Sequence, residues 1–262
     1  MMRKLITLLL GMALVASAEQ KRTFEVASIK KNDSGNQNHL FLGTPGRFNA
    51  QNVTLGMLIR TAYSFHDFQV VGGPGWLNSE DYDIEARADV NATEKEINGS
   101  MLQALLEERF KLVSHRETRE LPVYLLTTAN SGPKLKAASC QTREPNTPLA
   151  PGQRQSDFCG FGGIGNGTLR MTSTTMEAFT DLLTIVMKRK VLNSTGFKDR
   201  FDVSLRWTPD PVSTGNAGQA HSDMTGPSIF TALQEQLGLK LESSKGPVDV
   251  LVVDHVERPT EN

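Results

Sequence analysis

With only two cysteines in 262 residues, the chain cannot be a disulfide-dense scaffold or a cysteine-rich zinc protein, since both need several thiols. Charge of one sign is lacking as well. The 28 Lys and Arg stand against 29 Asp and Glu, so composition supplies no basic face for nucleic acid or anionic lipid. Beyond the N-terminus no stretch reaches the ~18 to 20 consecutive apolar residues of a membrane-spanning helix. Three local signatures are also missing: the G-x-S-x-G elbow, H-E-x-x-H and C-x-x-C. That removes the short motifs of α/β-hydrolases, zinc peptidases and thiol redox enzymes, and leaves open only a catalytic set dispersed through the sequence.

What is present begins with a leader. Arg3 and Lys4 precede an apolar run from Leu5 to Val15, and Ala16-Ser17-Ala18 satisfies the small-x-small rule. This predicts a secretory signal peptide over residues 1–18, cleaved near Ala18, with an uncleaved N-terminal anchor as the alternative. Without Arg3 and Lys4 the balance is 26 basic to 29 acidic side chains, a net charge of −3. The expected location of the mature chain is secreted or periplasmic. In that oxidising setting Cys140 and Cys159 are expected to form a disulfide, closing a loop of about 20 residues and stabilising by roughly 3 kcal/mol. Free thiols or half a metal site are the alternatives, and no nearby histidine supports a metal.

The pattern then repeats. Phe48, Ala50, Asn52, Leu55 and Leu58 keep the spacing of Leu169, Met171, Ser173, Met176 and Phe179. Further on, Ala104, Leu105, Glu107, Lys111 and Leu112 before LPVYLL are answered by Ala232, Leu233, Glu235, Lys240 and Leu241 before GPVDVL. Self-similarity at a fixed period decides architecture before any residue has a role. The reading is a tandem duplication: a leader over 1–18, a first α+β unit over 19–129, a Gly/Pro-rich linker over 130–167 that holds both cysteines, and a second α+β unit over 168–262.

Periodicity gives each unit the order β-α-β-β-α-β-β, two helices on a small, mainly antiparallel sheet. In the first unit, period-2 strands are expected over Thr23 to Lys30, Arg47 to Ala50, Phe68 to Val71 and Tyr82 to Ala86, with Asn32 to Gly46 as loop. One helix should bury Leu55, Leu58, Ile59 and Ala62. The next should start at a Thr93/Glu96 capping box and bury Ile97, Met101, Ala104 and Leu105. Segments 111–116 and 122–128 should form a hairpin. In the second unit, Thr174 and Glu177 should cap a helix burying Met176, Phe179, Leu183 and Val186. A helix after Pro227 should bury Ile229, Phe230, Leu233 and Leu237, and 240–242 with 248–253 should close a second hairpin. Helices packed on sheets bury these stripes with no cofactor.

Four blocks in order, GRFNAQNVTLGMLIRTAY, VVGGPGWLNSEDYDIEARAD, LLEERFKLVSHRETRELPVYLLTTANSGPKLKAAS and VLNSTGFKDRFDVSLRWTPD, resemble a bacterial family called soil-associated, also described as DUF3738. The resemblance implies export and supplies no reaction. Related domains are attached to membrane metallopeptidases, which implies a protease-linked membrane signalling system as one possible partner. The repeat itself resembles the short N-terminal module of secretins and TonB-dependent receptors, which are periplasmic interaction domains.

Among single residues, His115 and Glu117 stand two apart on one strand face, as do His255 and Glu257. Such pairs can bind zinc but lack a third ligand, and the bland alternative is exposed cross-strand polar residues. His39, His66 and His221 are expected in or beside loops. Trp76 follows Gly72-Gly73-Pro74-Gly75 and is read either as a partner-facing anchor or as a plug for its own sheet. Gly160, Gly162 and Gly165 fit G-x-G-x-x-G, but they are expected in a linker with no helix after them, and a dinucleotide site needs that helix. The expected role is a non-catalytic binding, scaffolding or sensor module of the cell envelope, with an envelope protein or ligand as partner and no metal. The alternative is a secreted hydrolase or metal-dependent enzyme built near His115 and Glu117.

Overall fold

The structure, a computed structural model, describes residues 22–36, 38–44, 46–138, 140, 148–154, 158–160, 162–209 and 226–260. The expected leader and His221 lie outside them. In chain order the strands and helices are β1 (Val26–Asn32), β2 (Leu40–Thr44), β3 (Arg47–Thr54), α1 (Leu55–Tyr63), β4 (Val70–Gly72), β5 (Asp81–Arg87), α2 (Glu94–Glu96), α3 (Leu102–Arg109) and β6 (Val113–Thr128). They continue with β7 (Lys136–Ala137), β8 (Gly162–Gly165), β9 (Thr168–Thr174), α4 (Met176–Met187), β10 (Val191–Asn193), β11 (Phe201–Arg206), α5 (Ile229–Ala232) and β12 (Leu239–His255). The fold class is α+β, as expected: helices with small antiparallel or mixed sheets. The chain divides into two compact units that interleave along the sequence. One holds the residues up to Ser64, Gly73–Val113 and those from His255; the other holds Phe65–Gly72 and Ser114–Asp254.

The first unit is built on the antiparallel sheet β1-β5-β3-β2. Residues 32–46, expected as loop, contain edge strand β2, paired to β3 from Leu40–Gln51 to Thr44–Arg47. Thr54 turns the chain from β3 into α1 by accepting the Met57 N–H at 3.2 Å, which satisfies one of the orphan donors of the first turn. The stripe Leu55, Leu58, Ile59 and Ala62 is buried as its spacing requires. Thr93 and Glu96 cap each other reciprocally. Behind that cap, Ile97, Met101, Leu102, Leu105 and Leu106 are buried, whereas Ala104 is only partly so.

Two sheets make the second unit. One is β10-β6-β12-β4, in which β10 runs parallel to β6 and β4 parallel to β12. Thr118 bonds Asp249 and Thr127 bonds the Lys240 carbonyl, so β6 and β12 run antiparallel. The two expected hairpins are therefore single strands of 16 and 17 residues. Pro122 and Pro247 lie inside these strands, each where a strand can do without an N–H. The Tyr124 N–H meets the Lys190 carbonyl, so Pro122, two residues earlier, faces the same side before β10 begins. The Asp249 carbonyl meets Gln69, and Pro247 faces that side before β4 begins. Proline is tolerated at such unpaired edges.

The other sheet is β7-β11-β9-β8, antiparallel throughout. Segments 136–137 and 162–165, expected as linker, are its two edge strands. Thr175, one residue beyond the expected Thr174, caps α4 by accepting the Ala178 N–H. Met176, Phe179 and Leu183 pack with Leu169, Phe201, Leu205 and Leu233 in one core, with Val186 at its margin. Each such side chain contributes about 1.5–3 kcal/mol on burial. Ser228 caps α5, and Ile229, Ala232, Leu233 and Leu237 point inward. Phe230, expected inside, is 39 % exposed, its ring 5.6 Å from that of Tyr124. Ala232 takes the inward position on that turn instead.

Each unit carries the same backbone device. The β3–β5 register slips between Ala50 and Val53, where Asn52 adopts φ 56° and donates its N–H to Asp83 Oδ1 at 2.8 Å. The β9–β11 register slips between Phe201 and Val203, where Ser173 adopts φ 49° and donates its N–H to Asp202 Oδ1 at 2.8 Å. In both, a carboxylate on the neighbouring strand satisfies the N–H that the bulge takes out of the ladder.

Candidate functional site

On β6 the two-residue repeat of a strand puts His115, Glu117 and Arg119 on one face. His115 Nδ1 lies 2.7 Å from Asp254 Oδ2, contributed by β12, and its Nε2 lies 3.7 Å from Glu117 Oε2. Glu117 in turn pairs with the Arg119 guanidinium. The hydrogen bond to Asp254, with the Asp254 and Glu117 charges behind it, raises the His115 pKa above its ordinary value and favours the imidazolium. As the imidazolium it would donate from both nitrogens, and as the neutral ring with Nδ1–H facing Asp254 its Nε2 would keep a lone pair. Among the described residues no group of three or more His, Cys, Asp or Glu is arranged to hold a metal ion.

Trp76 belongs to the first unit, on a tight 3-10 turn over Gly75–Asn78 in which Leu77 is buried and Trp76 half-buried. The Arg258 guanidinium lies over its ring, 4.9 Å from the centroid. It also grips Glu80 with both Nε and Nη2, the shortest contact being 2.7 Å. The Tyr82 hydroxyl donates to Glu80 at 3.1 Å. These bonds, led by Arg258, hold the Glu80 carboxyl below its usual range. Burial and then Glu80 push the Tyr82 phenol up to about 12. The indole face is thereby engaged by a cation of its own chain.

His255 pairs with Glu257 at 2.9 Å in the first unit, His66 stacks on Phe68 in the second, and the His39 ring contacts the Asn52 carbonyl. Cys140 and Cys159 form a disulfide with a Cα separation of 5.0 Å. Gly162 and Gly165 of the glycine pattern lie in strand β8, and no helix N-terminus follows them.

The described residues also form two clefts. One of about 240 Å³ lies in the first unit between residues 23–27 and Leu105, Glu108 and Arg109. The other, about 580 Å³, lies in the second unit beside β9 and β11, with Lys134, Lys136 and Arg170 on its walls. Sequence reasoning missed the second cleft because its walls come from segments far apart in the chain. The alternation Lys134-Leu135-Lys136 was its one local trace. Among the described residues no helix is long and apolar enough to cross a membrane.

These features define an α+β protein with charged strand surfaces and open sheet edges. A family model described as "Protein of unknown function (DUF3738)" matches residues 56–256, and the chain belongs to that family. Comparisons with curated proteins and with solved structures gave no match.

Proposed function

We propose that this protein is an exported, non-catalytic binding or scaffolding module of the bacterial cell envelope that recognises partners through its sheet edges. The observation that carries this reading is β2. It is the outermost strand of its sheet and presents Leu40 and Leu42 at 39 % and 48 % exposure. An edge strand with apolar side chains invites strand addition, in which main-chain hydrogen bonds supply affinity and alternate side chains supply selectivity. Natural edges that avoid partners carry charge or proline there. The disulfide agrees with an oxidising compartment. A protease-linked sensor is the form of this role that the family's domain company suggests.

The same reading includes the tandem copy. The matched bulges at Asn52 and Ser173 support it, as does a reciprocal exchange of strands. The short strand after α1 pairs with β12 at Val70–Leu251, and the short strand after α4 pairs with β6 at Val191–Tyr124. Two sequence units, 19–129 and 168–262, that trade one strand each account for compact units that interleave along the chain.

The test is capture of envelope partners by the tagged mature chain carrying a photo-crosslinker at residue 44, exposed on the same strand. A specific adduct lost on Leu40→Lys plus Leu42→Lys, with unchanged thermal stability, supports edge recognition. The same adducts from the double variant would overturn it. The rival reading, a secreted hydrolase near His115 and Glu117, draws on the His115–Asp254 hydrogen bond. The flanking carboxylates raise the His115 pKa, so turnover by that rival would fall away as pH drops below the raised midpoint. Stoichiometric metal in the purified protein, or hydrolytic turnover lost in His115→Ala, would favour that rival.

A further inference from the structure

The outer edge of β11 has a gap one residue long. Along a strand, main-chain N–H and C=O groups of alternate residues point to the same edge. Asp202 meets Lys136 of β7 on that edge. At the far end, no strand among the described residues lies beside Arg206, and the Gln236 side chain fills the position. The Arg206 N–H donates to Gln236 Oε1 at 3.0 Å, and Gln236 Nε2 donates to the Arg206 carbonyl at 2.7 Å. Between them, Ser204 points its N–H and C=O the same way. β7 ends at Lys136 and the chain beyond it turns away, Lys134 N–H bonding the Leu237 carbonyl. No described group takes the Ser204 pair. The carboxamide of Gln236 shows what chemistry fits this edge: one amide, donor and acceptor together.

The 580 Å³ cleft opens at this gap, and its charge is one-sided. Lys134, Lys136 and Arg170 line it, all three exposed. Arg170 stands directly across from Ser204 in the β9–β11 pairing, and Lys136 stands across from Asp202. None of the three cations is ion-paired among the described residues; the Lys134 ammonium bonds only the Glu235 carbonyl. Asp202, the one carboxylate on the wall, has Oδ1 occupied by the Ser173 N–H. The volume suits a few residues of extended chain.

We propose that this cleft binds an acidic peptide segment. One amide of the bound chain pairs with the main-chain groups of Ser204, and its flanking carboxylates seat on Arg170, Lys136 and Lys134. A lone anion would satisfy the cations but leave the Ser204 donor and acceptor half-met, so the amide sets the class of ligand. The site is independent of the β2 edge, and either can fail without the other.

The experiment is fluorescence anisotropy of the whole mature protein with a labelled hexapeptide of alternating glutamate and valine. Three further probes accompany it: the lysine–valine counterpart, the glutamate peptide N-methylated at its central amide, and free glutamate as competitor. We expect saturable binding of the glutamate peptide that weakens with added salt, as screening requires. Binding should fall at least tenfold for Lys136→Glu and for Arg170→Glu, and severalfold on N-methylation, while Leu40→Lys plus Leu42→Lys leaves it unchanged. The peptide comparisons on unaltered protein hold even if a variant folds poorly. Absence of saturable binding, equal binding of the lysine peptide, indifference to both charge reversals, or displacement by free glutamate at equal carboxylate concentration would each overturn the proposal.

Discussion

Replacing Gly238 with alanine is expected to destabilise this protein far more than its backbone angle alone predicts. Gly238 follows the last helical turn before β12 in the left-handed conformation, φ 63°. Lys111, in the turn between α3 and β6, also adopts a left-handed φ of 51°, so left-handed geometry does not by itself demand glycine. It costs an L-residue roughly 1–2 kcal/mol. What differs is the surroundings. A Cβ on Gly238 would stand 2.0 Å from the Gly132 carbonyl oxygen and 3.1 Å from the Lys134 nitrogen, both rigid backbone. Relieving that overlap means moving a turn held by three main-chain bonds: Ala129 N–H to the Gly238 carbonyl at 2.9 Å, Lys134 N–H to that of Leu237 at 2.8 Å, and Gly132 N–H to that of Ala129 at 2.9 Å. At about 1 kcal/mol net for each weakened bond, the total comes to about 3–5 kcal/mol. For a chain of this size that is a fall in melting temperature on the order of 10 °C. Urea titration and thermal melts followed by circular dichroism measure it directly. The reverse change, Lys111→Gly, should stabilise by about 0.5 kcal/mol, since the relieved strain slightly exceeds the chain entropy of a new glycine. A Gly238→Ala protein within 1 kcal/mol of its parent would refute the reasoning, because the clash and not the angle carries most of the expected cost.

Three further outcomes are expected. Because burial and Glu80 push the Tyr82 phenol from 10 up to about 12, the fold favours its neutral form. That contribution, about 3 kcal/mol by linkage, is complete below pH 10 and lost as pH rises toward 12. Tyr82→Phe should flatten this part of the urea stability profile relative to the parent, and parallel profiles would refute it. The His115 imidazole, with its pKa raised by Asp254 first, should titrate by NMR above the ordinary 6.5, and Asp254→Asn should bring the midpoint down. Reducing Cys140–Cys159 should lower stability by roughly 3 kcal/mol, read as a fall in the urea midpoint with little change in slope.

Much of the local structure was legible in the sequence. The stripe Leu55, Leu58, Ile59 and Ala62, the Thr93/Glu96 box and the alternation over 82–86 each specify an element through contacts a few residues long, and each stands as its spacing requires. Errors came where a short-range signal met a long-range partner. Segments 111–116 with 122–128 and 240–242 with 248–253 read as hairpins, yet each pair is one long strand, and Pro122 and Pro247 fit there because the side each faces has no neighbour at that point. Residues 136–137 and 162–165 have too little pattern to announce a strand, and β11 and β9 recruit them as edges. Phe230 is expected inward in one stripe with Ile229, Leu233 and Leu237, while the path of α5 turns Ala232 to the core.

Sequence by itself determined the α+β class, the helix stripes, the cysteine pair and the family, because each follows from periodicity, composition or residues in a fixed local order. Tertiary structure alone decided that short strands cross between the two halves. It alone set His115 against Asp254, 139 positions away along the chain, and left the Ser204 main-chain pair without a partner among the described residues, beside three cations. The reason is physical: hydrogen-bonding edges and charged clefts are made by segments remote in sequence, and which segments meet is fixed by the burial of the whole apolar pattern at once.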